Sequence, residues 1–213
     1  MNAEIERLPE AIACLGEFPV PVPESTDEAL QIGHDLWRQS CEHVQSGSPD
    51  DRTLYWQRLV ASHSVSSPDV LAAFEATSRN HKVRFETNAD MNVLVTGFDP
   101  FHLDANIDQS NPSGIIALSL DGSVRQLGSR RAEIRAMIMP VRFQDFDEGL
   151  IERAIGPLLV DIDLLITVSM GREAFDLERF PGRRRSSEKP DNRRQYCGGT
   201  PIAPVVPPGI DGP

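Results

Sequence analysis

Apolar positions follow two different rules along this chain, and the change comes near Met91. Before it they recur at helical spacing. Ser25-Thr26-Asp27-Glu28 supplies a cap and first-turn acids, and Leu30, His34, Leu36 and Trp37 follow on one predicted face. Ser46-Gly47-Ser48-Pro49 has the composition of a turn, after which Asp50 or Asp51 caps a second helix carrying Leu54, Tyr55, Leu59 and Val60. Ser67-Pro68-Asp69 opens a third, with Val70, Leu71 and Phe74 on its apolar face. Residues 1–90 are thus expected to form a helical amino-terminal extension.

After Met91 the apolar residues gather into short unbroken runs. Val93-Leu94-Val95-Thr96-Gly97 predicts a buried strand, Ile134 to Pro140 a second, and Leu164-Leu165-Ile166-Thr167-Val168 a third. Between the last two, Phe146 to Leu159 is expected as one helix with Leu150, Ile151, Ala154, Ile155 and Leu158 on one side. Strands alternating with helices imply an α/β fold, a mostly parallel sheet with covering helices over residues 91–213. The segment from Thr200 to Pro213 is rich in proline and glycine and predicts a loop with one short edge strand at Ile202 to Val206.

Composition narrows the function. A net charge of −11 argues against a nucleic-acid partner. Seven Arg or Lys residues between Arg179 and Arg194 read as a solvated loop. No apolar run approaches the roughly 20 residues of a membrane span. The acidic first residues lack the layout of a secretory signal, so a cytoplasmic protein with no membrane partner is expected. Three widely spaced cysteines, Cys14, Cys41 and Cys197, predict neither a disulfide framework nor a metal site. No cofactor is expected.

Thr96-Gly97-Phe98-Asp99-Pro100-Phe101 and, ten residues later, Asn111-Pro112-Ser113 stand where a strand hands over to a helix. Downstream come Pro140-Val141-x-Phe143, Asp161 to Ile166, Gly171-Arg172, Leu177-Glu178-Arg179 and Pro190-Asp191-Asn192. In combination these resemble the amino-terminal part of the pyroglutamyl peptidase I (pyrrolidone-carboxylate peptidase) family, over about Met91 to Asn192. The resemblance implies a phosphorylase/hydrolase-like α/β domain and a cysteine peptidase that removes amino-terminal pyroglutamate from peptides. It makes Phe98 and Phe101 walls of a lactam pocket and maps the family's catalytic glutamate onto Glu178. The chemistry it implies is attack by a thiolate, activated by histidine, on the carbonyl after the pyroglutamyl residue.

The family's Ala-Gly-Thr-x-Val-Cys-Asn segment and its later histidine find no counterpart here. All five histidines precede Glu178, and Cys197 lies in a loop context, an incidental thiol. His102 adjoins the phenylalanine motif at a site where the family usually has glycine, which reads as a loop substitution. Val168 replaces the glutamine of the family's Gly-Gln-Ala-Gly-Gly-Arg turn, and Glu188 stands where it has an arginine. A partial peptidase domain, its carboxyl-terminal part missing and without hydrolytic activity as this chain, is therefore expected. Three explanations stay open: a separate carboxyl-terminal fragment as partner, a non-catalytic protein that keeps a small-ligand pocket, and an unrelated α/β domain whose Ser169-Met170-Gly171-Arg172 turn binds phosphate.

Overall fold

A computed structural model describes residues 2–86, 88–171, 176–178, 182 and 184–206. Five helices precede the first strand: α1 (Ala3–Glu6), α2 (Leu8–Leu15), α3 (Thr26–Gln45), α4 (Arg52–Ser64) and α5 (Pro68–Ser78). Strand β1 (Met91–Phe98), helix α6 (Pro112–Leu120) and strands β2 (Ser123–Leu127) and β3 (Arg130–Met139) follow. Short helices α7 (Phe143–Asp147) and α8 (Leu150–Ala154), a 3₁₀ turn at Gly156–Leu158 and strand β4 (Leu164–Thr167) complete the order. The sheet runs β2-β3-β1-β4, with β1 parallel to both β3 and β4 and β2 antiparallel to β3. It is an α/β fold with a mostly parallel sheet flanked by helices. Among the described residues no helix is long and apolar enough to cross a membrane.

Period-two alternation divides the sheet's two faces. Val93, Val95, Ala132, Ile134, Ala136 and Ile138 pack against Leu36, Trp37, Leu54 and Phe74 of the helices. Leu94, Met137 and Met139 point the other way, onto Val83, Ala154 and Ile155. One core therefore spans the amino-terminal helices and the sheet. Trp37 Nε1 donates to Asp121 at 2.9 Å, and Gln45 Nε2 to the carbonyls of Leu118 and Asp121 at 3.0 Å, at the same junction.

Several elements depart from the sequence expectation. Helix α3 starts as expected, with Ser25 Oγ accepting from Glu28 N–H, but Leu30 and His34 are exposed. Gly33 explains the rotation. A Cβ there would lie 2.9 Å from Ser78 N and Thr77 Cβ, so α3 meets α5 where it has no side chain. Asp51 precedes α4 without capping it; Asp50 accepts from Arg52 N–H instead. The expected helix over 146–159 is broken into α7, α8 and the 3₁₀ turn, because Gly149 takes a left-handed φ of 79° and Gly156-Pro157 interrupts the rest. The strand expected at 202–206 reduces to isolated bridges, Arg185 with Val205 and Thr200 with Ala203. Residues 207–213 of that loop lie outside the described residues. Strand β2 was not expected, although Gly128-Ser129 between two β-prone runs is a hairpin signal.

Candidate functional site

The carboxyl ends of β1 and β3 lie side by side, where α/β sheets place their ligands. At that edge β1 meets the start of α6 backbone to backbone. A Cβ on Gly97 would collide with the Ser113 carbonyl, and one on Gly114 would lie 2.8 Å from the Phe98 carbonyl. Any side chain at either position would push strand and helix apart. Phe98 N–H donates to Ser113 Oγ at 3.1 Å. Asn111 caps α6, its Oδ1 accepting from Ser113 N–H at 3.0 Å, while its Nδ2 donates to the Asp99 carbonyl at 2.8 Å. The two opening motifs thus form one unit.

The Pro190-Asp191-Asn192 segment closes on that unit. Asn192 Nδ2 donates to the Pro100 carbonyl at 2.9 Å and to Tyr55 Oη at 3.3 Å. Its N–H donates to the Val141 carbonyl at 3.0 Å, and its own carbonyl accepts from Arg7 Nη1 at 2.7 Å. Asp191 accepts from Phe143 N–H at 2.8 Å and from the N–H groups of Arg193 and Gln195 at 2.8 and 2.9 Å. Segments widely separated in sequence converge on one loop.

Beneath the loop lies a buried ionic cluster. Both oxygens of Asp99 are taken by guanidinium groups, one by Arg58 of α4 and the other by Arg79 Nη1 just past α5. Burial opposes ionisation of Asp99, but the two arginines outweigh it and hold its carboxyl below the usual range. Arg79 also meets Glu75 at 3.2 Å, and Arg142 meets Glu4 at 2.9 Å, with Tyr55 O–H donating to the same Glu4 at 3.2 Å. Asp51 behaves oppositely. Buried, and near Asp99, it accepts from Asn111 N–H at 3.2 Å, and burial pushes its carboxyl up to about 7.

The residues singled out from sequence fall unevenly around this loop. Phe98 is half-buried and stacks on Phe146, centroids 6.3 Å apart. Phe101 is half-buried against the His102 ring at 3.6 Å. No ring contact joins Phe98 to Phe101 among the described residues. His102 has φ +67°, the left-handed region where glycine is at ease, which is the physical reason for glycine at that site. Glu178 is exposed. Arg172 and Arg179 lie outside the described residues. The Cys197 thiol is buried, its Sγ 3.5 Å from the Gly199 carbonyl. No cluster of His, Cys, Asp and Glu suited to a metal ion occurs among the described residues.

Arg58 and Arg79 were not singled out beforehand. A signal existed for Arg58: it falls on the stripe of Leu54 and Ala61, and a charge on an apolar stripe needs a buried partner. Nothing in the sequence marks Arg79 in this way.

A family model described as "PA0049, C-terminal domain" matches residues 92–210, more than half of the chain. The chain belongs to that family. The match begins with β1 and takes in every strand and the whole motif loop. Uncharacterized protein PA0049 of Pseudomonas aeruginosa is 26% identical over 228 residues, covering 86% of this chain and 41% of that protein. A share that large takes in part of the amino-terminal helices too. The pyrrolidone-carboxylate peptidase of Pyrococcus furiosus is 32% identical over 117 residues, 55% of this chain and 52% of that enzyme. The chain spans about half or less of the length of these curated relatives. No solved structure matches it.

Proposed function

We propose that this member of the PA0049 C-terminal family provides the substrate-holding half of a site for amino-terminal pyroglutamyl groups, and that the chain alone does not hydrolyse them. The observation that carries the reading is the convergence of the Thr96–Phe101, Asn111–Ser113 and Pro190–Asn192 segments through Asn111 and Asn192. The 32% identity to a pyrrolidone-carboxylate peptidase supports it. In this reading Phe98 and Phe101 wall the lactam, whose ring is apolar apart from one N–H and one carbonyl, and such a group suits a slot with few polar contacts. Glu178 is the acidic member of the triad, orienting an imidazole. The nucleophilic thiolate and that imidazole are not among the groups this loop assembles.

A second reading, a binding site without hydrolysis, is favoured by one observation. The His102 ring lies against Phe101, the residue meant to contact the lactam, and occupies that side of its ring. Burial and Lys189 lower the affinity of His102 for a proton, so near pH 7 it presents a neutral ring.

The test is a pyroglutamyl amide that releases a fluorophore, offered to residues 1–213, with 2-pyrrolidone binding followed by NMR. The expected outcome is no fluorophore release, together with lactam-induced shifts that weaken in Phe101→Ala. Turnover abolished by Cys197→Ala would overturn the non-catalytic assignment. Absence of lactam shifts would remove the pocket.

A further inference from the structure

Strand β3 is buried at every position from Ala132 to Met139 except Arg135. A guanidinium in the middle of a covered strand calls for a close carboxylate, and Arg135 is only loosely provided for. Asp121 lies 3.4 Å from its Nε and Glu133 3.8 Å from its Nη1, and the buried Nε makes no hydrogen bond to a described residue. Both carboxylates are engaged elsewhere. Asp121 accepts from Ala136 N–H at 2.8 Å and from Trp37 Nε1 at 2.9 Å, while Glu133 accepts from Glu86 N–H at 3.0 and 3.1 Å.

Arg135 lines a cleft of about 310 Å³ between α3 and the segment 80–86. It opens where β2 stops covering the outer edge of β3. Strand β2 pairs as far as Ile134, and beyond it the edge is held by Asn80 Nδ2 on the Ala136 carbonyl at 2.8 Å and the Arg79 carbonyl on Ile138 N–H at 3.1 Å. Lys82 and Arg84 also line the cleft and make no ion pair among the described residues. Arg38 and Glu42 neutralise each other at 2.7 Å, which leaves Glu86 as the lining carboxylate without a cation. Exposed Lys82 and Arg84 alone would be a solvated face; the half-buried, under-partnered Arg135 beside them makes the cleft a receptor for negative charge, in a chain whose net charge is −11.

We propose that this cleft binds a small organic oxyanion, a phosphate monoester or a carboxylate, with Arg135 as its anchor and Lys82 and Arg84 adding charge at its rim. A guanidinium offers parallel N–H donors that match two oxygens of either group. The volume is at the small end of ligand sites, which run from about 300 to 1,000 Å³, and suits a ligand of few heavy atoms rather than a dinucleotide or a peptide. Trp37, fixed by its bond to Asp121, supplies an apolar wall. The cleft is distinct from the motif loop: Asn111 caps one end of α6 and Asp121 the other, about 14 Å apart for nine residues at 1.5 Å each. This inference therefore stands apart from lactam binding.

The experiment titrates the full chain with glycerol 3-phosphate and, separately, with succinate, and follows the indole N–H resonances of its two tryptophans by NMR. Trp37 lines the cleft and Trp56 does not, and Trp37→Phe assigns the pair. The expected result is a saturable shift of the Trp37 resonance with Trp56 unmoved; a response to the ester alone assigns phosphate, and to succinate alone carboxylate. Arg135→Gln should weaken binding by at least about tenfold, with Arg135→Lys in between. Arg84→Glu, at an exposed position that does not hold the fold, should weaken it by about threefold or more, and circular dichroism checks each variant. Lys82 and Arg84 also line a second cleft, on the α8 side, together with Arg153, so Arg153→Gln should leave binding unchanged. Binding lost in Arg153→Gln but kept in Arg135→Gln would place the ligand in that second cleft and overturn the proposal. A Trp37 resonance that neither ligand moves at up to about 10 mM would overturn it outright. No pyroglutamyl ligand enters the measurement, so its failure is separable from failure of the lactam site.

Discussion

The two neighbours of β1 run in the same direction and meet opposite fates. Strand β3 pairs with β1 over eight residues, from Met91 with Ala132 to Phe98 with Met139, and buries most of its side chains between α6 and the α7–α8 segment. Strand β4 pairs over four, from Val93 with Leu164 to Thr96 with Thr167, and buries none. Their compositions do not predict this. Leu-Leu-Ile-Thr is more apolar than Arg-Arg-Ala-Glu-Ile-Arg-Ala-Met-Ile-Met. Burial follows from what lies above and below a strand, and among the described residues the helices bury most of β3 but leave Leu164, Leu165 and Ile166 about two-fifths exposed.

The sharpest way to break that contrast is to attack the ionic cluster on the covered side. Arg58→Ala leaves Asp99 buried with one guanidinium gone, and breaking a buried pair costs roughly 3–5 kcal/mol, a large part of a domain's stability. Chemical denaturation should show that loss, and Asp99→Asn combined with Arg58→Met should recover part of it. If Arg58→Ala is as stable as the parent chain, the cluster does not anchor the loop.

One substitution made on two strands compares them directly. Leu94→Ala removes a fully buried side chain packed on Met137 and Met139 and should cost roughly 2–5 kcal/mol. Leu165→Ala, its registered partner on β4, should cost less than about 1 kcal/mol in the chain alone. Equal midpoint shifts in urea would show that β4 is covered after all.

Two groups on the covered side give a finer, pH-dependent signature. Asp51 titrates at about 7 in the folded chain against an ordinary 3.8, so between those values the folded state holds the extra proton and stability falls as pH rises. His81, buried with Nε2 2.9 Å from the Ile138 carbonyl, is lowered to about 4 from 6.5. There the unfolded state holds the extra proton, and stability rises with pH. At about 1.4 kcal/mol per unit the Asp51 effect amounts to about 4 kcal/mol and the His81 effect to about 3 kcal/mol, and they oppose each other from about pH 4 to 6.5. Asp51→Asn should leave a chain that loses stability on acidification through that window, and His81→Gln one that gains it. Thermal melts at pH 4.5 and 7.5 measure both, and parallel behaviour of the two variants would refute the pairing.

Much of the fold was legible because strands β1, β3 and β4 announce themselves as apolar runs, and α3, α4 and α5 by the spacing of their apolar residues, with a serine cap at α3. What was not legible depended on partners far along the chain. The face of α3 was misread because Gly33, which composition marks as a weak helix former, is its closest contact with α5. The helix over 146–159 was overextended because two glycines were weighed less than the apolar spacing around them. In the site, the motif residues Asn111 and Asn192 proved to be joined through the loop between them. Arg79, Tyr55 and Arg7 join it from the amino-terminal helices, and no local pattern ties a residue near position 7 to one near 192.

Asn192 also bears on the order in which the molecule assembles. Its contacts with Pro100, Tyr55 and Arg7 close loops of 92, 137 and 185 residues. Closures that long carry a larger entropy cost than the local turns of α3 to α5, and topologies rich in them fold slowly. On a ribosome the helices and β1 emerge and can collapse long before residue 192 leaves the exit tunnel. For that interval the Thr96–Phe101 loop exists without its last fastening, held by Ser113, by Asn111, by the Met139 carbonyl and by the Arg58–Asp99–Arg79 cluster.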